Sequence, residues 1–85
     1  MTEQMTALDK EELRMTIADI LDVDVAEVAD ETHFVEELEV DSLMALEISV
    51  RLEKKYLVKL AESEVAELTT LNKTFGLLQA KRAAA

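Results

Sequence analysis

The chain has no cysteine, no proline and no tryptophan, and only one glycine and one histidine in 85 residues. Without cysteine, disulfides and thiolate metal sites are excluded as staples. Without proline, and with a single glycine, the usual turn residues of a β-rich fold are missing. No apolar run approaches the ~20 residues of a membrane span, and the opening MTEQMTALDKEE lacks the apolar core of a secretory signal. The expectation is a soluble, cytoplasmic chain. Cations are scarce too: nine Lys and Arg against nineteen Asp and Glu leave a formal charge of −10. A polyanion repels the phosphate backbone, so nucleic-acid binding is disfavoured.

What the chain does have is aliphatic. Hydrophobic types make up 49% of it, with leucine and alanine the commonest, and both favour helix. At 85 residues it is one small domain that buries only about 60–65% of its unfolded surface. The class this defines is a compact all-α domain.

The negative charge is not spread evenly. Between Arg14 and Arg51 lie eleven Asp and Glu and no Lys or Arg, so the whole imbalance belongs to that segment. One reading is a solvated acidic surface; the other is a docking surface for basic partners, because a one-signed field steers encounters.

The first helix is signalled by Asp9 with Glu12 three residues on, resembling a capping box, and by Leu13, Ile17, Ile20 and Leu21 at helical spacing over about 9–21. Residues 22–40 show no sustained period. A connection of that length needs pins, for which Val25, Val28, Phe34, Val35 and Leu38 are the candidates, with a helical turn near 25–29. Asp41 and Ser42 open a second helix over about 42–56, either of them able to cap it. A short third helix is expected near 62–67, and Thr69 or Thr70 caps a fourth over about 70–80 with Leu71, Phe75 and Leu78 inward. The first half-dozen residues and 81–85 read as frayed ends.

The second helix carries two apolar faces. At about 100° per residue, Ala45, Ile48, Leu52 and Tyr56 fall on one side, and Leu43, Leu46 and Val50 on the other, with Glu47 beside them. A surface helix of a small domain needs only one buried face. Either the third helix or the long loop covers the second stripe, or it is a strip that other proteins read.

Catalytic arrangements are absent. His33 lacks a nucleophile and an orienting partner, and reads as a surface residue. Asp22, Asp24 and Glu27 lack the glycine and further ligands of a calcium loop, so no metal site is expected. Ser42 is read in two ways. As a helix-opening serine it is a cap. As an exposed hydroxyl at the positive end of a helix it suits a covalently attached phosphodiester.

The segment DSLMALEISVRLEKKY, residues 41–56, resembles the prosthetic-group helix of acyl carrier proteins. The resemblance extends over about residues 9–80. It includes Phe34 and Leu38 before the Asp-Ser-Leu triplet, Glu47 five residues after Ser42, Tyr56 at the aromatic closing position, Leu60, and Leu68-Thr69-Thr70-Leu71 at the entry to the last helix.

It implies a small four-helix bundle of the acyl-carrier type, with a long loop between helices 1 and 2 and a short third helix. It also implies that Ser42 bears 4′-phosphopantetheine, transferred from coenzyme A by a phosphopantetheinyl transferase, and that the chain itself catalyses nothing. Acyl intermediates would ride on that arm as thioesters in fatty-acid or polyketide-type biosynthesis. Docking of acyl-transfer, condensing and chain-modifying enzymes with basic surfaces would fall on Asp41, Leu43, Leu46, Glu47 and Val50. Ile20, Phe34, Ile48, Leu52, Leu68 and Phe75 are the candidates for lining a sheltered acyl chain.

Two departures stand out. Glu39 occupies a position where the family usually has glycine, which strains the backbone if φ is positive there. Lys54, Lys55 and Lys59 follow the docking residues where fatty-acid carriers are often acidic, and the MALEI run is similar to polyketide-type carriers.

The expectation is thus a monomeric carrier forming one domain over 1–85, with its core at about 9–80 and flexible ends at 1–6 and 81–85. Its initial Met favours a free-standing chain. The rivals are an aminoacyl or peptidyl carrier of a nonribosomal pathway, and a cofactor-free helical adaptor in which Ser42 is only a cap. The crowded carboxylates of the middle segment repel one another, so the melting temperature is expected to rise with added salt. A melting temperature flat from low to high ionic strength would contradict this.

Overall fold

A computed structural model describes residues 8–84 of the chain, with side chains to Arg82. The expected frayed residues 1–6 lie outside the described residues. The described residues form five α-helices: α1 (Lys10–Leu21), α2 (Phe34–Leu38), α3 (Ser42–Tyr56), α4 (Glu62–Val65) and α5 (Leu71–Ala84), with a 3₁₀ turn at Val25–Glu27. No strand occurs among the described residues. The architecture is an acyl-carrier-type helical bundle in which α1 packs against the 3₁₀ turn, α3 and α5, while α4 sits on α3.

The helix ends follow local chemistry. Asp9 caps α1 by accepting from the Glu11 N–H at 2.9 Å, one residue short of the capping-box partner expected at Glu12. Thr70 caps α5, its hydroxyl accepting from the Lys73 N–H at 3.1 Å. The last helix runs to Ala84, past the expected end near 80. One reason is that Lys81 pairs with Glu64 at 2.7 Å, tying the last turns of α5 to α4. The third helix is shorter than expected, ending at Val65.

One core joins these elements. Leu13, Ile17 and Ala18 of α1 meet Ile48, Leu52 and Tyr56 of α3, and Leu71 and Leu78 of α5, with Leu68 between helices. Val28, Phe34 and Val40 enter this core from the long connection. Val28 and Phe34 are the pins expected from sequence, and Leu38 packs against the core. Val25 and Val35 are not pins: they are 43% and 52% exposed, because the 3₁₀ turn buries none of its residues and the short α2 turns Phe34 inward instead.

Polar contacts hold the connection as firmly as apolar ones. The Arg14 guanidinium donates to the Val28 carbonyl at 2.6 Å, to Asp30 at 2.7 Å and to Glu11 at 2.9 Å. Lys10 adds a second contact to Asp30 at 3.1 Å. From the other side, the Asn72 N–H donates to the Asp30 carbonyl at 3.1 Å, and the Phe34 N–H to the Thr69 carbonyl at 2.8 Å. A connection without helical period is thereby tied to both α1 and the start of α5.

The Arg14 contact, with Lys10 behind it, holds the Asp30 carboxyl below its usual range. A carboxyl lowered on folding contributes stability that is present above its unfolded value and lost as pH falls through the folded one. Asp30→Asn should therefore melt below the wild type at pH 7. The gap should close as the pH drops below the ordinary value of 3.8. A gap that stays constant from pH 7 to pH 2 would show that Asp30 acts through something other than its charge.

Candidate functional site

Two facts position the start of α3. Val40 is 3% exposed, so the residue just before Asp41-Ser42 is anchored in the core. Its N–H also donates to the Phe34 carbonyl at 3.0 Å, closing the C-terminus of α2. The chain between α2 and α3 is then only Glu39, Val40 and Asp41, and it turns sharply.

The turn is made at Glu39, with φ 56° and ψ 38°. This is the left-handed region, which costs a side-chain-bearing residue roughly 1–2 kcal/mol. The sequence raised that possibility from the glycine usual at this position, and the backbone does adopt the conformation glycine would take more easily.

At the helix itself the two opening residues divide their roles. Asp41 is the cap: its Oδ1 accepts from the Met44 N–H at 2.9 Å. Ser42 is the first helical residue and is exposed. Its hydroxyl is therefore not spent on capping, and the reading that required Ser42 to be the cap loses its basis. The first turn of α3 also carries no acidic side chain, unlike those of α1, α2 and α4. The positive end of its dipole is thus left unanswered from within the turn.

The second apolar stripe of α3 is uncovered. Leu43 is 73% exposed, Leu46 53% and Val50 39%. The opposite stripe is buried, with Ile48 and Leu52 at 1% or less and Tyr56 at 6%. Neither the loop nor α4 folds over the outer residues. Glu47 is also exposed, so Asp41, Leu43, Leu46, Glu47 and Val50 form one accessible strip beginning beside Ser42.

The six residues considered for chain lining all belong to the core or its margin. Phe34, Ile48, Leu52 and Leu68 are buried, while Ile20 and Phe75 pack partly buried against them. An open groove of about 290 Å³ between α1 and α3 is lined by Glu12, Met15, Thr16, Asp19, Arg51 and Lys55, none of them in that set. Ion pairs join its walls, Arg51 to Asp19 at 3.4 Å and Lys55 to Glu12 at 3.5 Å.

His33 does more than a surface residue would. It caps α2, its Nδ1 accepting from the Glu36 N–H at 3.2 Å, while its own N–H donates to Glu37 at 3.0 Å. Sequence reasoning missed this because α2 was not expected; a histidine followed by Phe-Val-Glu-Glu was the available signal. Tyr56 lies buried, and burial pushes its phenol up.

An exposed serine thus opens α3 beside an uncovered apolar strip. The family model described as "Phosphopantetheine attachment site" matches residues 11–78, and the chain belongs to that family of covalently modified, non-catalytic carriers.

Among acyl carrier proteins, the chain is 62% identical over 76 residues to polyketide-8 synthase acyl carrier protein 2 of Streptomyces avermitilis, covering 89% of this chain and 87% of that one. It is 34% identical to polyketide-8 synthase acyl carrier protein 1 of the same organism, covering 84% of each. It is likewise 34% identical to the meromycolate extension acyl carrier protein of Mycolicibacterium smegmatis, covering 86% of this chain and 78% of that one. The chain is an acyl carrier protein of fatty-acid or polyketide-type biosynthesis, and 4′-phosphopantetheine is the covalent group its family carries.

The division between Asp41 and Ser42 has measurable consequences. Asp41→Ala should cost about 0.5–2 kcal/mol in denaturant unfolding, the usual value of a lost cap, whereas Ser42→Ala should stay within about 0.5 kcal/mol. Glu39→Gly should gain about 0.5–1 kcal/mol, the relieved left-handed strain exceeding the chain entropy glycine adds. A larger loss for Ser42→Ala than for Asp41→Ala would reverse the assignment of the cap.

Proposed function

We propose that Ser42 is the attachment point, and that this chain is a polyketide-type acyl carrier working as a cytoplasmic monomer, with residues 1–85 forming one carrier domain. The observation that carries the site assignment is the exposed, non-capping hydroxyl of Ser42 at the first position of a 15-residue helix. The polyketide assignment rests on the 62% identity to a polyketide synthase carrier.

The residues present suit the group. Ser42 supplies the hydroxyl that becomes one ester of the phosphodiester, and the first-turn N–H groups and dipole favour the resulting negative charge. His33 Nδ1 is engaged at α2, and deprotonation of Ser42 falls to the phosphopantetheinyl transferase. When bound, the group supplies a thiol that holds acyl chains as thioesters.

The protein's own part is presentation. Asp41 and Glu47 orient basic partner enzymes, and Leu43, Leu46 and Val50 give them an apolar surface to bury. Ile20, Phe34, Ile48, Leu52, Leu68 and Phe75 would line the space if the helices part to shelter an acyl tail.

The test is intact mass after incubation with coenzyme A and a broad-specificity phosphopantetheinyl transferase. The wild type should gain one phosphopantetheinyl group and Ser42→Ala none. Modification of the alanine variant, or none of the folded wild type while a known carrier is modified in parallel, would refute the site.

A further inference from the structure

The exposed face of α3 continues past Val50. Taking Leu43 as 0°, Val50 lies at about 340° and Lys54 at about 20°, so Lys54 extends the strip by another turn. The helix then ends at Leu57, which is 87% exposed and sits in the left-handed region at φ 56°. Glycine or asparagine would satisfy that backbone more easily, and a polar residue would satisfy the water around it. Leucine meets neither local demand, and the core gains nothing from it.

Charge changes sign along the same line. Near Ser42 the strip is flanked by Asp41 and Glu47; at its far end it is flanked by Lys54 and Lys59, both exposed. Most other cations here are occupied: Lys10, Arg14, Arg51, Lys55 and Lys81 each meet a carboxylate. Among the described residues, Lys54, Lys59 and Lys73 have no carboxylate within 4 Å, and of these Lys73 lies on α5, away from the strip. Favourable placement at the negative end of the helix accounts for Lys54, but not for an exposed, strained leucine beside it. From Leu43 to Leu57 the strip spans about 21 Å.

We propose that the docking strip runs the full length of α3 and is bipolar, so that Lys54, Leu57 and Lys59 engage an acidic-rimmed apolar patch on the condensing enzyme while Asp41 and Glu47 engage its cations. This rests on the carrier reading and adds the chemistry of the partner. A uniformly acidic strip attracts a basic surface in many orientations. A strip with opposite ends admits one, which aims Ser42 and the arm it bears in a fixed direction.

The experiment uses the holo carrier, first confirmed by mass as modified at Ser42, with a purified polyketide-type condensing enzyme that accepts the wild-type carrier as substrate. Acyl transfer is followed as a function of carrier concentration. Lys54→Glu should raise KM about fivefold with kcat unchanged. Lys73→Glu, which makes the same change in net charge on α5, should leave KM within about twofold.

Leu57→Gly separates docking from folding. It should raise KM about threefold while the melting temperature holds or rises, since glycine relieves the backbone. Equal KM values for wild type, Lys54→Glu and Leu57→Gly would overturn the proposal, as would equal effects of Lys54→Glu and Lys73→Glu. Failure of modification at Ser42 would instead refute the carrier site on which the proposal rests.

Discussion

Everything at the start of α3 depends on how the connection from α1 to α3 is held. That segment has no sustained helical period, and its backbone needs partners from elsewhere. Arg14 supplies them from α1, bonding at once to the Val28 carbonyl, to Asp30 and to Glu11. Its neighbours raise the guanidinium pKa further, so it stays charged at any relevant pH. With Val28 and Phe34 buried on one side and Asn72 bonding Asp30 on the other, the loop is a fixed strap. Only then does Val40 reach the core and set the start of α3.

The same strap explains the distribution of charge. Two of the eleven acids between the flanking arginines are drawn into ion pairs, Asp30 with Arg14 and Lys10, and Asp19 with Arg51. Others serve locally: Glu37 receives the His33 N–H, Glu27 the Asp24 N–H at 3.3 Å, and Asp41 caps α3. The acidic segment is thus partly structural and partly a surface. Asp41 and Glu47 belong to the exposed strip beside Ser42.

Among the described residues, three hold the left-handed conformation: Asp22, Glu39 and Leu57, each following a helix. Asp22 tolerates it well, as aspartate does. Glu39 and Leu57 do not, and they bracket α3, one shortly before its cap and the other directly after its last residue. Backbone strain is thereby concentrated at both ends of α3.

The sequence by itself determined the helical class, the three long helices, the core face of α3 and the family, because these rest on periodicity and on a motif read along one helix. Helix faces follow from 100° steps whatever the surroundings. It left open what only tertiary packing decides. Angle counting found Leu43, Leu46 and Val50 opposite the core face but not whether another element covers them; the path of the strap, held by Arg14, leaves them bare.

Asp41 and Ser42 were equally good caps by type, and the register of the turn through Glu39 and Val40 assigned the cap to Asp41. Helix α2 was invisible because five residues are too few to show a period, and its cap is a histidine. Val25 and Val35 looked like pins by hydropathy alone. Which valine of a strap turns inward depends on where the strap is tied, and those ties are contacts between residues far apart in the chain.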